Sequence, residues 1–279
     1  MRVPSLGEQL QFMTVKIVTH GLQGQGSGTG FFVNFSAEEA GKSMPLLITN
    51  KHVIDNAETG TIRFNIRGGD KGVPLPDRFF DLTIGGIRNS FVYHPDANVD
   101  LAALPLASII KHLEDLGNPP FILSAGEDYI ATKADLADAD VCTDIVMIGY
   151  PNGLWDQTNN KPILRRGITA TSPSVPFDGK PHFLIDCACF PGSSGSPVFM
   201  YNPTGYTDRA GAHHLGTPRI KLIGVLFAGP QVTVSGQIVV LPTPTAMNFS
   251  VNSQVMMNLG FCVEAPALMY FKEHFRNWK

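Results

Sequence analysis

The chain has 279 residues, of which 43% are apolar and only 16% charged, and its formal net charge is −3. So sparse and even a charge gives no electrostatic footprint for a nucleic-acid backbone. No apolar run reaches the ~18–20 residues that span a bilayer, so neither nucleic acid nor a membrane is an expected partner. The length suits two packed β-domains of roughly 120 residues each.

In chain order, the opening residues 1–18 lack a long apolar stretch and a small-residue cleavage site. Taken as the native start, they place the protein in the cytoplasm. The first half offers apolar strands at 14–19, 29–35, 46–49, 61–66 and 101–106, separated by turns rich in Gly, Asn and Asp. Residues 107–140 change character: Pro119-Pro120 and the acidic run ADLADAD read as an inter-domain crossing. Further strands are expected at 144–149, 164–171, 182–187, 197–200, 220–228 and 237–241. The close of the chain carries Leu268, Phe271 and Phe275 at helical spacing and reads as one terminal helix. Many short strands in two blocks argue for two packed barrels.

Four cysteines do not make a disulfide framework. Cys187 and Cys189 sit two apart on a predicted strand, sharing a face without the geometry to bond each other. Cys142 and Cys262 are isolated, and all four read as reduced thiols. With neither a C-x2-C pair nor an H-E-x-x-H helix, no metal site is expected, and no cofactor.

The segment with the strongest chemistry is FPGSSGSPVF at residues 190–199. A serine hydroxyl is a poor nucleophile unless a base takes its proton and donors hold the developing oxyanion. Gly192 and Gly195 flank Ser194 and allow a turn tight enough to aim the N–H groups of Gly192 and Ser194 at one spot. The candidate base is His52, at the end of the apolar run LLITNKHVI. The candidate orienting acid is Asp100, directly before the apolar run LAAL. Each feature alone has a plain structural reading: a Gly/Ser loop, a structural histidine, a turn-forming aspartate. Their chain order, His then Asp then Ser, is that of one class of serine hydrolase. An α/β-hydrolase needs its acid and histidine after the serine, and position 196 is Ser where its elbow has Gly.

The sequence resembles the trypsin-like serine proteases, and among them the high-temperature-requirement (HtrA/Deg) branch. The matching segments are GSGTGF (26–31), ITNKHV (48–53), DLAAL (100–104), GYPNG (149–153) with GIT (167–169), and PGSSGSP (191–197). The resemblance covers about residues 15–260. It implies an all-β, chymotrypsin-like fold of two six-stranded antiparallel barrels with a C-terminal helix and the active site in the cleft between them. The barrels would occupy 1–118 and 141–262, the crossing 119–140 and the helix 263–279. It implies peptide-bond hydrolysis through an acyl-enzyme. Ser194 would attack, His52 would act as base and then acid, Asp100 would hold the imidazole, and Gly192 and Ser194 would form the oxyanion hole. The partner would be a protein or peptide substrate.

The departures are informative. Ser193 stands where digestive relatives have an aspartate that pairs with a newly cut N-terminus, so that mode of activation is not expected. The residues after Gly260 are too few for a peptide-binding PDZ domain. The loop at 151–166 takes the place of an activation loop, which implies an activating partner or substrate contact that orders the turn at 191–194. His213 and His214 lie in a longer loop than usual and read as solvated. By resemblance the residue before the cut would meet Ala188, Cys189, Phe190, Leu226, Phe227 and Ala228, with Asn248 and Ser250 at the back. Ala188 supplies no carboxylate, so small or medium apolar residues are expected there. The alternative from another class is a non-catalytic peptide-binding module that kept the cleft. The complete set of catalytic residue types weighs against it.

Overall fold

A computed structural model of the chain describes residues 5–22, 24–37, 43–69, 72–238 and 249–276. The N-terminal half holds β1 (Thr14–Gly21), β2 (Gly24–Ser36), β3 (Ser43–Thr49), β4 (Thr59–Gly68), β5 (Val73–Gly85), β6 (Val92–Tyr93) and β7 (Ala102–Pro105). They lie in the order β5-β4-β1-β2-β3-β7-β6. The crossing adds β8 (Pro120–Phe121), paired with β4, and β9 (Ala125–Gly126), which runs parallel to β2. The C-terminal half holds β10 (Asp144–Gly149), β11 (Ile163–Thr169), β12 (His182–Asp186), β13 (Pro197–Asn202), β16 (Arg219–Ala228) and β19 (Leu259–Glu264). A hairpin of β14 (Gly205–Thr207) and β15 (His213–Leu215) is inserted before β16, and another of β17 (Gln231–Ile238) and β18 (Phe249–Met256) after it.

The two halves share one plan. In the C-terminal half the strands close into a barrel in the order β10-β11-β12-β19-β16-β13. In the N-terminal half β1-β2-β3-β7 follow the same sequence, with β4 and β5 on the far side of β1. Among the described residues no pairing joins β5 to β7.

Side-chain alternation divides the interior into three clusters, as the two-residue period of a strand requires. Phe32 of β2 and Leu47 of β3 enter the N-terminal core with Ile17, Ile62 and Phe64. Their neighbours Phe31, Val33, Leu46 and Ile48 face the other way. They meet Val146, Ile148, Phe199 and Val225 in a cluster shared by both halves. Ile145, Met147, Phe183, Val198 and Cys262 fill the C-terminal core. Strands buried on both faces therefore read as continuous apolar runs. Leu268 ends a 3-10 turn, Ala265–Leu268, and Phe271 and Phe275 lie on the helix Met269–Phe275; all three are buried in the shared cluster.

Two features go beyond the sequence expectation. The segment read as the crossing carries two helices, Ala107–Asp115 and Lys133–Asp138. The second opens on a capping box, in which Thr132 Oγ1 accepts from the Asp135 N–H while the Asp135 carboxylate takes the Thr132 N–H. β5 carries Pro74 and Pro76, which argue against a central strand, but it lies at the end of the sheet order. At an edge a missing N–H leaves no ladder bond unmade.

Candidate active site

The apolar strand β3 ends at Thr49 and the chain turns at Asn50 into the one-turn helix Lys51–Ile54. Ile54 is buried in the N-terminal core while His52 is left exposed. Asp100 precedes β7, and Asn50 holds it there, its Nδ2 donating to the Asp100 carbonyl at 2.7 Å. His52 Nδ1 lies 2.5 Å from Asp100 Oδ2, and the His52 backbone N–H donates to Oδ1 at 3.3 Å. A carboxylate can only accept, so Nδ1 carries a proton, and in the neutral imidazole Nε2 then presents its lone pair. Asp96, the other acid of this loop, is otherwise engaged: its Oδ1 accepts from the Asn98 backbone N–H at 2.8 Å. These local bonds hold the Asp96 carboxyl below the usual carboxylate range.

Ser194 lies in a turn braced on three sides. The Ser193 N–H donates to Phe190 O at 3.0 Å, Ser196 N–H to Ser193 O at 3.0 Å and Gly195 N–H to Leu226 O at 2.8 Å. Gly192 and Gly195 have φ of +85° and +87°, the left-handed region that glycine enters without strain. The Ser194 carbonyl accepts from Thr29 N–H at 2.8 Å, and the Thr29 carbonyl accepts from Thr49 Oγ1 at 2.8 Å. Two hydrogen bonds thus run from the serine to the strand end that carries His52. Among the described hydrogen bonds none uses Ser194 Oγ or the N–H groups of Gly192 and Ser194. Bonds between nucleophile and base are often long before substrate binds.

The Pro191 carbonyl is taken by the Asn152 N–H at 2.5 Å. The peptide is trans, so carbonyl and N–H point in opposite directions, and the Gly192 N–H is turned away from Asn152. Thr29 Oγ1 donates to the Gly192 carbonyl at 3.1 Å and fixes the next peptide in the same way.

Beside Ser194 lies a cavity of about 130 Å³, lined by Cys189, Phe190, Pro191, Leu226, Ala228, Gly229, Gln231 and Met256. Of the six residues expected around the substrate side chain, four line it. Ala188 does not; its carbonyl accepts from Arg165, whose guanidinium stacks 4.9 Å from the Phe190 ring centroid. Phe227 does not either, and packs against His182 at 4.6 Å between ring centroids. Asn248 lies outside the described residues. Ser250 falls on β18, but its side chain lies outside what is described. Asp186, the nearest acid before the turn, is exposed.

The sequence reading missed the residues that hold the site together. Asn50 and Thr49 sit in the ITNKHV segment and Thr29 in GSGTGF, but nothing local shows that their side chains reach across the fold. Met256 and Gln231 belong to an inserted hairpin whose return to the cavity has no local signature. His213 and His214 lie on the β14–β15 hairpin, where His214 Nε2 meets Asp208 Oδ2 at 2.9 Å and its ring stacks on Tyr206.

Among the described residues no helix is long and apolar enough to cross a membrane. No curated protein matched the sequence. Similar solved structures include an HtrA-type protease with a tripeptide, 15% identical over 96% of this chain and 61% of that one, with a TM-score of 0.49. The chain therefore spans less than two thirds of that protein's length. A serine endoprotease from Yersinia pestis is 16% identical over 99% of this chain and 69% of its own, with a TM-score of 0.48. A protease from M. tuberculosis in its active form is 17% identical over 93% and 79%, with a TM-score of 0.45. The family model described as the trypsin-like peptidase domain matches residues 28–205, from β2 through the Ser194 turn to β14. The chain has the chymotrypsin-like fold and belongs to the trypsin-like peptidase family.

Proposed function

We propose that the chain is a serine endopeptidase that hydrolyses peptide bonds of protein substrates through an acyl-enzyme. The observation that carries the proposal is the 2.5 Å contact between His52 Nδ1 and Asp100 Oδ2, because it leaves Nε2 free to serve as the base. Ser194 Oγ gives its proton to His52 Nε2 as it attacks the scissile carbonyl. The Gly192 and Ser194 N–H groups, which no protein acceptor engages among the described bonds, receive the oxyanion. Protonated His52, stabilised by Asp100, then passes the proton to the leaving amine, and a water repeats the cycle to release the acid. An extended peptide would pair along Phe227 and Ala228, the end of β16 beyond Leu226, whose carbonyl and N–H are already taken by Gly195 and Ser196. The lining of the cavity supports small or medium apolar residues before the cut. Contact of a partner or substrate with the loop at 151–166 would act on the turn through Asn152.

Labelling with a fluorophosphonate probe tests the reading. Wild type should be labelled and Ser194→Ala should not, with the two sharing one thermal midpoint. Absence of labelling in both, with peptide binding retained, would identify a binding module instead.

A further inference from the structure

We propose that Lys16 and Trp155 form a bracket that positions the oxyanion hole from the other half of the fold. The inference rests on the endopeptidase reading and adds to it two residues that lie outside the triad and the hole.

The starting point is strain. Asn152 has φ of +48°, and it is this residue's N–H that takes the Pro191 carbonyl and so aims the Gly192 N–H. Asparagine enters the left-handed region more readily than other non-glycine residues, but the conformation still carries a cost that neighbouring contacts must offset. Within the turn, Gly153 N–H donates to Tyr150 O at 3.0 Å and Leu154 N–H to Pro151 O at 2.8 Å. Neither bond reaches beyond the turn itself.

Outside support comes from two strands: Thr29 Oγ1 of β2 accepts from the Tyr150 N–H at 3.2 Å, and β1 holds the turn further along. Lys16 Nζ donates to the Gly153 carbonyl at 3.1 Å and sits 3.6 Å from the centroid of the Trp155 ring. One cation therefore grips the turn at residue 153 by its carbonyl and at residue 155 by an aromatic face. The Trp155 ring is fixed edge-to-face on fully buried Tyr150 at 5.9 Å, and the Tyr150 hydroxyl donates to the Thr14 carbonyl at 3.3 Å, on the same strand as Lys16. The bracket spans residues 150–155, and its Lys16 and Thr14 anchors lie on β1.

The placement of Lys16 is poorly explained by stability alone. Among the described residues it has no carboxylate partner. Arg63 approaches the same ring at 5.7 Å, and its own carboxylate, Asp81, is engaged by it at 2.7 Å through both Nε and Nη2. Partial burial and the neighbouring Arg63 depress the Lys16 pKa. A cation taken from water without a counter-ion is unfavourable, so a gain elsewhere must offset it. Holding Asn152, and through it the Pro191–Gly192 peptide, is such a gain.

The test measures kcat and KM on a peptide substrate, the fluorophosphonate labelling rate and the thermal midpoint. It compares wild type, Lys16→Met, Lys16→Arg, Trp155→Leu and Ser194→Ala. Removing one oxyanion donor lowers kcat by about 10²–10³-fold, so misaiming it should give a loss of roughly 10–100-fold. Lys16→Met and Trp155→Leu should lose kcat and labelling rate together by that factor with KM little changed, because the hydrogen bond concerned strengthens only in the transition state. Lys16→Arg should recover most of the loss. A wild-type kcat in folded Lys16→Met, or a change confined to KM, overturns the bracket. If Lys16→Met does not fold, Trp155→Leu, which alters a half-buried loop side chain, decides by the same readouts. Failure of wild type itself to label above Ser194→Ala would strike the endopeptidase reading rather than the bracket.

Discussion

The Thr29 N–H donates to the Ser194 carbonyl at 2.8 Å, and this bond joins the N-terminal sheet to the turn of the C-terminal barrel. The approach is close enough that a Cβ on the next residue, Gly195, would lie 2.0 Å from the Thr29 carbonyl oxygen and 2.9 Å from Thr49 Oγ1. The glycine after the serine therefore serves the joint between the two halves as well as the turn.

Gly195→Ala should accordingly disrupt both. A left-handed φ adds about 1–2 kcal/mol for an L-residue and overpacking about 1–3 kcal/mol, so a loss on the order of 2–5 kcal/mol is expected. Chemical denaturation of the variant measures it. A stability equal to wild type would mean that the two halves can move apart at this contact without penalty.

Asp100→Asn should lower kcat by about 10⁴-fold, because an amide can present its N–H to Nδ1 and leave the histidine in the wrong tautomer. Asp96→Asn should remain active, since Asp96 accepts from Asn98 and none of the described contacts joins it to His52. Paired kinetics on the two variants check the assignment. An inactive Asp96→Asn beside an active Asp100→Asn would reverse it.

How much of this was legible in the sequence depended on the range of the interaction. His52, Asp100 and Ser194 each stand where an apolar run meets a turn, and a turn leaves a local mark, so the three could be named and ordered. The continuous apolar run of β10 gave its bounds as well, because Ile145 and Met147 face one cluster while Val146 and Ile148 face another, so both faces are apolar. β5 could not be read, because its two prolines mark a turn in sequence and an edge strand only in the sheet. Asn50 Nδ2 on the Asp100 carbonyl and Lys16 on Gly153 join residues separated by 50 and 137 positions, and no local pattern records such a meeting.

The thiols offer a prediction about pH. Burial raises the Cys189 thiol to about 12 and raises those of Cys187 and Cys262, while Cys142 is exposed. The thiolate is the nucleophile, so the three buried thiols stay protonated and inert near pH 8. Iodoacetamide followed by mass spectrometry should find Cys142 modified first and the others only after unfolding. For each buried thiol the folded pKa lies above the unfolded one. Their neutral forms therefore cease to favour the fold as pH rises above about 8.5, and stability should decline into the alkaline range. Rapid modification of Cys189 in the native protein at pH 8 would show that the cavity admits water and reagent to its wall.

The last prediction concerns the residue before the cut. The cavity next to Ser194 has Cys189, Phe190, Leu226, Ala228 and Met256 in its lining and Gln231 as its polar side chain, with no carboxylate. A buried Lys or Arg would find no partner there, and an unpaired cation removed from water is unfavourable by several kcal/mol. Asp186 does not alter this, because it is exposed, at the end of β12. Its neighbour Ile185 faces the C-terminal core, so alternation turns Asp186 away from that core. The expected preference is Ala, Val or Leu, and it should be broad, since one methylene changes discrimination by only ~1–3 kcal/mol. Met256 lines the cavity beside Gly229, its Cε lying 2.7 Å from where a Cβ on that glycine would be. Met256→Ala should therefore shift the preference toward Met and Phe by roughly 10-fold or more in kcat/KM, while Ala substrates are left nearly unchanged. Cleavage-site profiling of wild type and Met256→Ala on one proteome-derived peptide library measures both. A dominant Lys or Arg signal from wild type would show that Asp186 turns inward when substrate binds. An unaltered profile from Met256→Ala would show that the inserted hairpin does not bound the pocket during turnover.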